Sequence, residues 1–158
     1  MYSRILVPLD GSEQAEKALP HVKRVAEAGK ADLFLIQAVS RAPEYEAARI
    51  SDFGNPTVFE IGLEQGRRLV EQHLLMAEQY LGHVAKGLET DGFSVHIKVE
   101  EGPASDSIVK HAKDEGIDLI VMSTRGHGGI KQLLVGSVAD RVVHRSGVPV
   151  LIVPPRRP

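Results

Sequence analysis

A chain of 158 residues with 42% apolar content has the size and composition of one domain with a substantial core, and residues 1–158 are read as such. Nineteen basic against twenty-one acidic residues leave a net charge of -2, without the basic excess that nucleic-acid binding requires. The lack of any cysteine excludes disulfides, thiolate nucleophiles and cysteine-bound zinc, and no apolar run is long enough for a signal segment or a membrane span, so a cytoplasmic protein without membrane attachment is expected.

In chain order, the first element is a short apolar block from Ile5 to Leu9, read as a strand buried on both faces. Ala15, Ala18, Leu19, Val22, Val25 and Ala26 then fall on one helical stripe that ends before Gly29. Asp10 and Glu13 have the spacing of a capping box for that helix, and Pro20 inside it predicts a kink. Leu33 to Val39 is a second buried strand. Residues 40–60, charged and punctuated by Pro43, Gly54 and Pro56, read as a long connection of the kind that serves as a lid or interface.

Val70, Leu74, Ala77, Leu81, Val84 and Leu88 mark a long helix closed by Gly92. Ser94 to Glu100 alternates, with Val95, Ile97 and Val99 on one face and His96, Lys98 and Glu100 on the other, which suits a sheet edge. Ile108, Val109 and Ala112 mark a helix closed by Gly116, and Ile117 to Met122 is another buried strand. Val135, Val138, Ala139, Val142 and Val143 mark the last helix, and Val150 to Val153 the last strand, ahead of a frayed ProProArgArgPro tail. Such a β-α-β-α-β-α-β-α-β string, with right-handed crossovers, predicts an α/β open doubly wound parallel sheet of five strands with helices on both faces. Its ligand site belongs at the carboxyl ends of the strands.

The segment from Ser123 to Val138 carries the chemistry. It leaves a buried strand, and Gly126, Gly128 and Gly129 can adopt the conformations of an anion-binding nest. Gly136 and Ser137 then stand at a helix N-terminus, where free amides and the macrodipole favour phosphate. The first strand-to-helix turn, residues 8–12, ends at the same edge, and Asp10 there can cap the helix, hydrogen-bond a ribose or help hold a metal. Arg125, His127 and Lys131 have charges or donors that suit an anion and equally suit solvent.

Other chemistries lack their signatures. There is no GxxxxGK[ST], GxGxxG breaks at Lys131, and no GxSxG places a serine nucleophile. The histidines are dispersed without ligand spacing, so no metal site and no catalytic residue is assigned.

From IleLeuValProLeuAspGlySer at residues 5–12 to ProValLeuIleVal at 149–153, the chain resembles the universal stress protein family. ATP-binding members of that family carry glycine, two residues, glycine, nine residues, then glycine with serine or threonine. Here Gly126 and Gly136-Ser137 match, while Ser123 replaces the first glycine and places a Cβ where a ribose would approach. The resemblance implies an adenine nucleotide alpha hydrolase-like fold with strand order 3-2-1-4-5. It implies that Pro8, Asp10, Ala38, Val39 and Met122 surround adenine and ribose and that Gly126, Gly136, Ser137 and Val138 hold phosphates, with Ser123 beside them and Gly102 bordering the pocket. The ligand would be ATP or another adenine nucleotide, with a divalent cation such as Mg as a companion. A homodimer through the last strand would act as a stress-response or signalling module toward a partner the sequence does not name. Slow ATP hydrolysis and a structural dimer that binds no nucleotide are the competing readings.

Overall fold

The computed structural model describes residues 2–40, 56–124 and 136–155. Five parallel strands form one sheet: β1 (Arg4–Pro8), β2 (Asp32–Val39), β3 (Ser94–Glu101), β4 (Leu119–Ser123) and β5 (Val150–Val153). Their order is β3-β2-β1-β4-β5, as the resemblance implied, with the alternating β3 at one edge. In register, Ile5 faces Leu33 on one side and Leu119 on the other.

Period-two alternation divides the core into two layers. Ile5, Val7, Leu33, Leu35, Leu119 and Val121 point to one face, where they pack with Val22, Leu81 and Leu88. Leu6, Phe34, Ile36, Ile120 and Met122 point to the other, where they meet Ile108, Ala112, Ala139 and Val142. The first face is covered by α1 (Glu13–Glu16), α2 (Leu19–Val25) and α3 (Pro56–Thr90), the second by α4 (Ala104–Asp114) and α5 (Ser137–Arg145). The sheet is therefore doubly wound.

Three elements depart from the sequence reading. The first helix is two pieces, because Pro20 stands in the first turn of α2, where a missing amide donor costs nothing, and the chain breaks just before it. Its N-cap is Ser12, whose hydroxyl accepts from Ala15 N, and not Asp10. The third helix is far longer than the stripe from Val70 to Leu88. Its 35 residues span about 52 Å, twice the roughly 26 Å of the eight-residue β2. Val70, Ala77, Leu81 and Leu88 are buried on the face toward the sheet, while Leu75 and Met76, between them in sequence, and Ile61 nearer the helix start are exposed. Residues 56–60 of the expected connection are thus helical, and 41–55 lie outside the described residues. In α5, Ala139 and Val142 are buried but Val138 and Val143 are exposed, so its apolar stripe is narrower than the pattern implied; Val135 lies outside the described residues.

Gly92 and Gly116 close α3 and α4 with φ of +89° and +59°, as their positions predicted. No helix among the described residues is long and apolar enough to cross a membrane.

Candidate functional site

The strand order puts the switch point between β1 and β4. The chain leaves β1 for helices on one face and leaves β4 toward α5 on the other, so the connections diverge and a crevice opens at the carboxyl ends of the strands. A cleft of about 510 Å³ occupies that place, well within the size range of small-molecule sites.

Its floor is made by alternate residues of neighbouring strands. Ile36, Ala38 and Ser40 come from β2 and its exit, and Met122 and Thr124 from β4, all with the parity of the layer that faces α4 and α5. Pro8, Leu9 and Asp10 form the β1 side. Gly102 and Pro103 close the β3 side, where Gly102 donates its N–H to Val39 O at 2.9 Å with φ +143°, a conformation other residues rarely adopt. Gly136, Ser137 and Val138 bring the start of α5 to the opposite wall.

Eight of the residues expected at the site therefore share one cleft: Pro8, Asp10, Ala38, Met122, Ser123, Gly136, Ser137 and Val138. Gly126, the other loop glycines Gly128 and Gly129, and Arg125, His127 and Lys131 lie outside the described residues. Val39 does not line the cleft. Its side chain has the opposite parity to Ala38, is buried, and lines an adjoining pocket of about 400 Å³ with Gln37, His73 and Tyr80 on the α3 face, which shares Ala38 and Ser40 with the cleft. Ile36, Ser40 and Thr124 were not singled out from sequence. The same alternation, extended two residues either side of Ala38 and two beyond Met122, would have found them.

The β1–α1 turn is held by its own polar groups. The Asp10 carboxylate accepts from Ser12 N at 3.0 Å and from Ser12 Oγ at 2.5 Å, bracing the N-cap hydroxyl. Gly11, with φ +80°, makes the reversal that lets Ser12 rather than Asp10 precede the helix. Across the cleft, Gly136 is the N-cap of α5 and has no side chain to bond the first-turn amides. Those donors start at a cleft whose polar lining residues, among those described, are Asp10, Ser12, Ser40, Ser123, Thr124 and Ser137. Among the described residues, Asp10 is the one charged side chain lining the cleft.

Behind the turn, Tyr80 of α3 donates to Glu16 Oε1 at 3.0 Å. Burial, that hydrogen bond, and the charges of Glu16 and Asp10 raise the Tyr80 phenol well above its ordinary pKa, so it stays a neutral donor. No group of three His, Asp or Glu side chains poised to hold a metal occurs among the described residues.

The universal stress protein family model matches residues 1–154. A universal stress protein of Methanocaldococcus jannaschii is 34% identical over 97% of this chain and 95% of its own length. The solved structure of that relative superposes with a TM-score of 0.76 at 32% identity, covering 100% of this chain and 99% of the other. More distant structures share the fold. One is a universal stress protein in complex with cAMP, at 23% identity and TM-score 0.57, covering 96% of each chain. Another is a family protein from Arabidopsis thaliana with AMP bound, at 12% identity and TM-score 0.62, covering 98% of this chain and 92% of that one.

Proposed function

The chain belongs to the universal stress protein family, and from that premise we propose that its cleft binds an adenine nucleotide, with ATP as the leading ligand, as the input of a signalling module. The observation that carries this reading is the meeting, at one switch-point cleft, of an apolar floor from Ala38 and Met122 with the uncapped N-terminus of α5. The base lies on the floor, Asp10 serves the ribose hydroxyls, and the amides beginning at Ser137 receive phosphate. The cAMP and AMP complexes of distant relatives support an adenine nucleotide in general. Ser123 lines the cleft between Met122 and Thr124, where a family glycine would otherwise stand.

With ATP, a divalent cation such as Mg²⁺ would arrive on the phosphates. Asp10 is the carboxylate positioned to meet it, directly or through water, since the described walls offer no protein cage for a free ion. Binding, rather than turnover, is the role assigned.

The test is to purify the protein without added nucleotide, denature it, identify any released small molecule by mass spectrometry, and titrate ATP, AMP and cAMP if none appears. Recovered or titratable nucleotide supports the reading. An empty protein that ignores all three at millimolar concentration overturns it, and steady phosphate release from ATP would move the assignment to a slow ATPase.

The second part of the proposal is a homodimer paired through β5. That strand bonds β4 on one side, and its Val150, Leu151 and Ile152 remain half-exposed at the sheet edge, an apolar strand without the charges that usually guard one. Light scattering should give twice the chain mass, and Ile152→Lys should give the chain mass at the same concentration. A monomeric unchanged protein would sink the dimer and leave the cleft assignment standing.

A further inference from the structure

We propose that Gln14 is a positioning residue for the nucleotide cleft, acting through the carbonyl of Thr124; the inference rests on the nucleotide reading above. Gln14 sits in α1, a single turn of helix, yet its side-chain amide crosses to β4 and donates from Nε2 to Thr124 O at 3.3 Å, linking residues 110 positions apart. Which way the amide points is set by a second contact, because Lys17 Nζ donates to Gln14 Oε1 at 2.8 Å. An ammonium can only donate, so the oxygen must face Lys17 and the NH₂ must face Thr124.

Thr124 is where this contact matters. It is buried, it lines the cleft, and it is the first residue after β4, so its carbonyl fixes the peptide plane at the exit of the strand. Its N–H is already fixed by Val153 O at 3.2 Å on β5. Gln14 supplies the other restraint, on the carbonyl, from the opposite side of the cleft mouth. Two walls of the cleft, the β1–α1 turn with Asp10 and the β4 exit with Ser123 and Thr124, are thereby held at a set separation.

The restraint extends further back. Glu16, in the same turn of helix, accepts from Tyr80 of α3, so α1 is gripped by α3 on one side and grips β4 on the other. Its helical hydrogen bonds are few, and these side-chain contacts are what define its place against the sheet.

A substitution series separates positioning from general structure. Gln, Lys, Met and Glu have nearly equal helix propensity and similar length, so exchanges among them leave α1 intrinsically as stable as before, while only Gln and Lys can donate to a carbonyl. ATP affinity is measured by calorimetry for the unchanged protein and for Gln14→Met, Gln14→Glu and Gln14→Lys, with thermal melting of each. Loss of the donor is expected to weaken ATP roughly three- to tenfold in Gln14→Met, and by more in Gln14→Glu, where a carboxylate would oppose the carbonyl. Gln14→Lys keeps a donor but sets it beside Lys17, so it should recover part of the affinity, and the order of melting temperatures should not follow the order of affinities. Equal affinity across the series, or affinity that falls only in step with the melting temperature, would overturn the positioning role while leaving the nucleotide reading intact. No binding of ATP, AMP or cAMP by the unchanged protein would overturn both.

Discussion

At the amino-terminal end of the sheet the chain is tied together by charge and aromatic contact, whereas at the carboxyl-terminal end it is held apart around a cleft. The Asp118 carboxylate accepts from Ser3 N at 2.8 Å, Ser3 Oγ at 2.9 Å and Arg4 N at 3.0 Å, fastening the start of β1 to the approach of β4. Arg4 donates to the Glu115 carbonyl at 2.6 Å and lies 4.7 Å over the Phe34 ring, which in turn stacks on His96 at 4.8 Å. At the other end, Leu9, Asp10, Gly102 and Gly136 line open space, and among the described residues the side-chain bond that joins the β1–α1 turn to the β4 exit is Gln14 to Thr124. The contrast is a division of labour: one end supplies stability, and the other trades contacts for room and for a helix start without a side-chain cap.

The largest expected effect breaks the carboxyl end alone. A Cβ on Gly136 meets nothing within 4 Å among the described residues, so the cost of Gly136→Val to the fold is chiefly that of a poorer cap, about 1–2 kcal/mol. Its branches would stand where the α5 amides receive phosphate. We expect ATP affinity to fall at least about 100-fold with a melting temperature lowered by only a few degrees. Retained affinity in calorimetry would mean that phosphate is not held at α5.

Asp118→Ala should do the reverse. Burial by itself would raise the Asp118 carboxyl, but the hydrogen bonds from Ser3 and Arg4 prevail and hold it below the ordinary aspartate value. Removing it leaves three donors without their acceptor, at a cost of about 2 kcal/mol or roughly 4–8 °C in Tm. Nucleotide affinity should stay within twofold. A large loss of affinity would show that the two ends are coupled through the strands and would undo the division drawn above.

This asymmetry also explains what could be read from the sequence. β5 was placed at Val150–Val153 without error because an apolar run between Pro149 and Pro154 has little freedom to shift. The strands and their covering helices followed from apolar blocks and helical stripes, the place of the cleft from the doubly wound order, and its individual residues from the family resemblance. What was not legible depended on contacts beyond a local window. The start of α3 carries no continuous apolar stripe because no sheet lies beneath it, and its helical span was read as connection. Ser12 outcompeted Asp10 as cap because Gly11 turns the chain between them. Val39 came with Ala38 from the family resemblance, and strand geometry sends these neighbouring side chains to opposite faces.

The smallest effect sharpens the amino-terminal side of the comparison. His111 is buried in α4 with its ring edge-on to Phe34 at 6.2 Å. Burial lowers its pKa below the ordinary value of 6.5, with Lys98 of β3 assisting, while Glu115 and Asp114 near the end of α4 and Glu100 of β3 oppose the shift without overcoming it. The unfolded chain therefore takes up this proton at higher pH than the folded one. Its contribution is complete above pH 6.5 and is lost as pH falls below that value, with a slope of at most about 1.4 kcal/mol per pH unit for one proton. Asp118 and Asp114, both lowered from 3.8, add their own losses only in more acid solution, so the interval from about pH 6.5 to 4.5 separates the histidine from these two carboxylates, and the difference between the unchanged protein and a His111 variant reports it. Urea denaturation across that interval should show stability declining in the unchanged protein and a flatter profile in His111→Gln, whose side chain does not titrate. Parallel profiles would mean that the proton is accepted without displacing the ring from Phe34, and that the amino-terminal end yields to charge more readily than its packing implies.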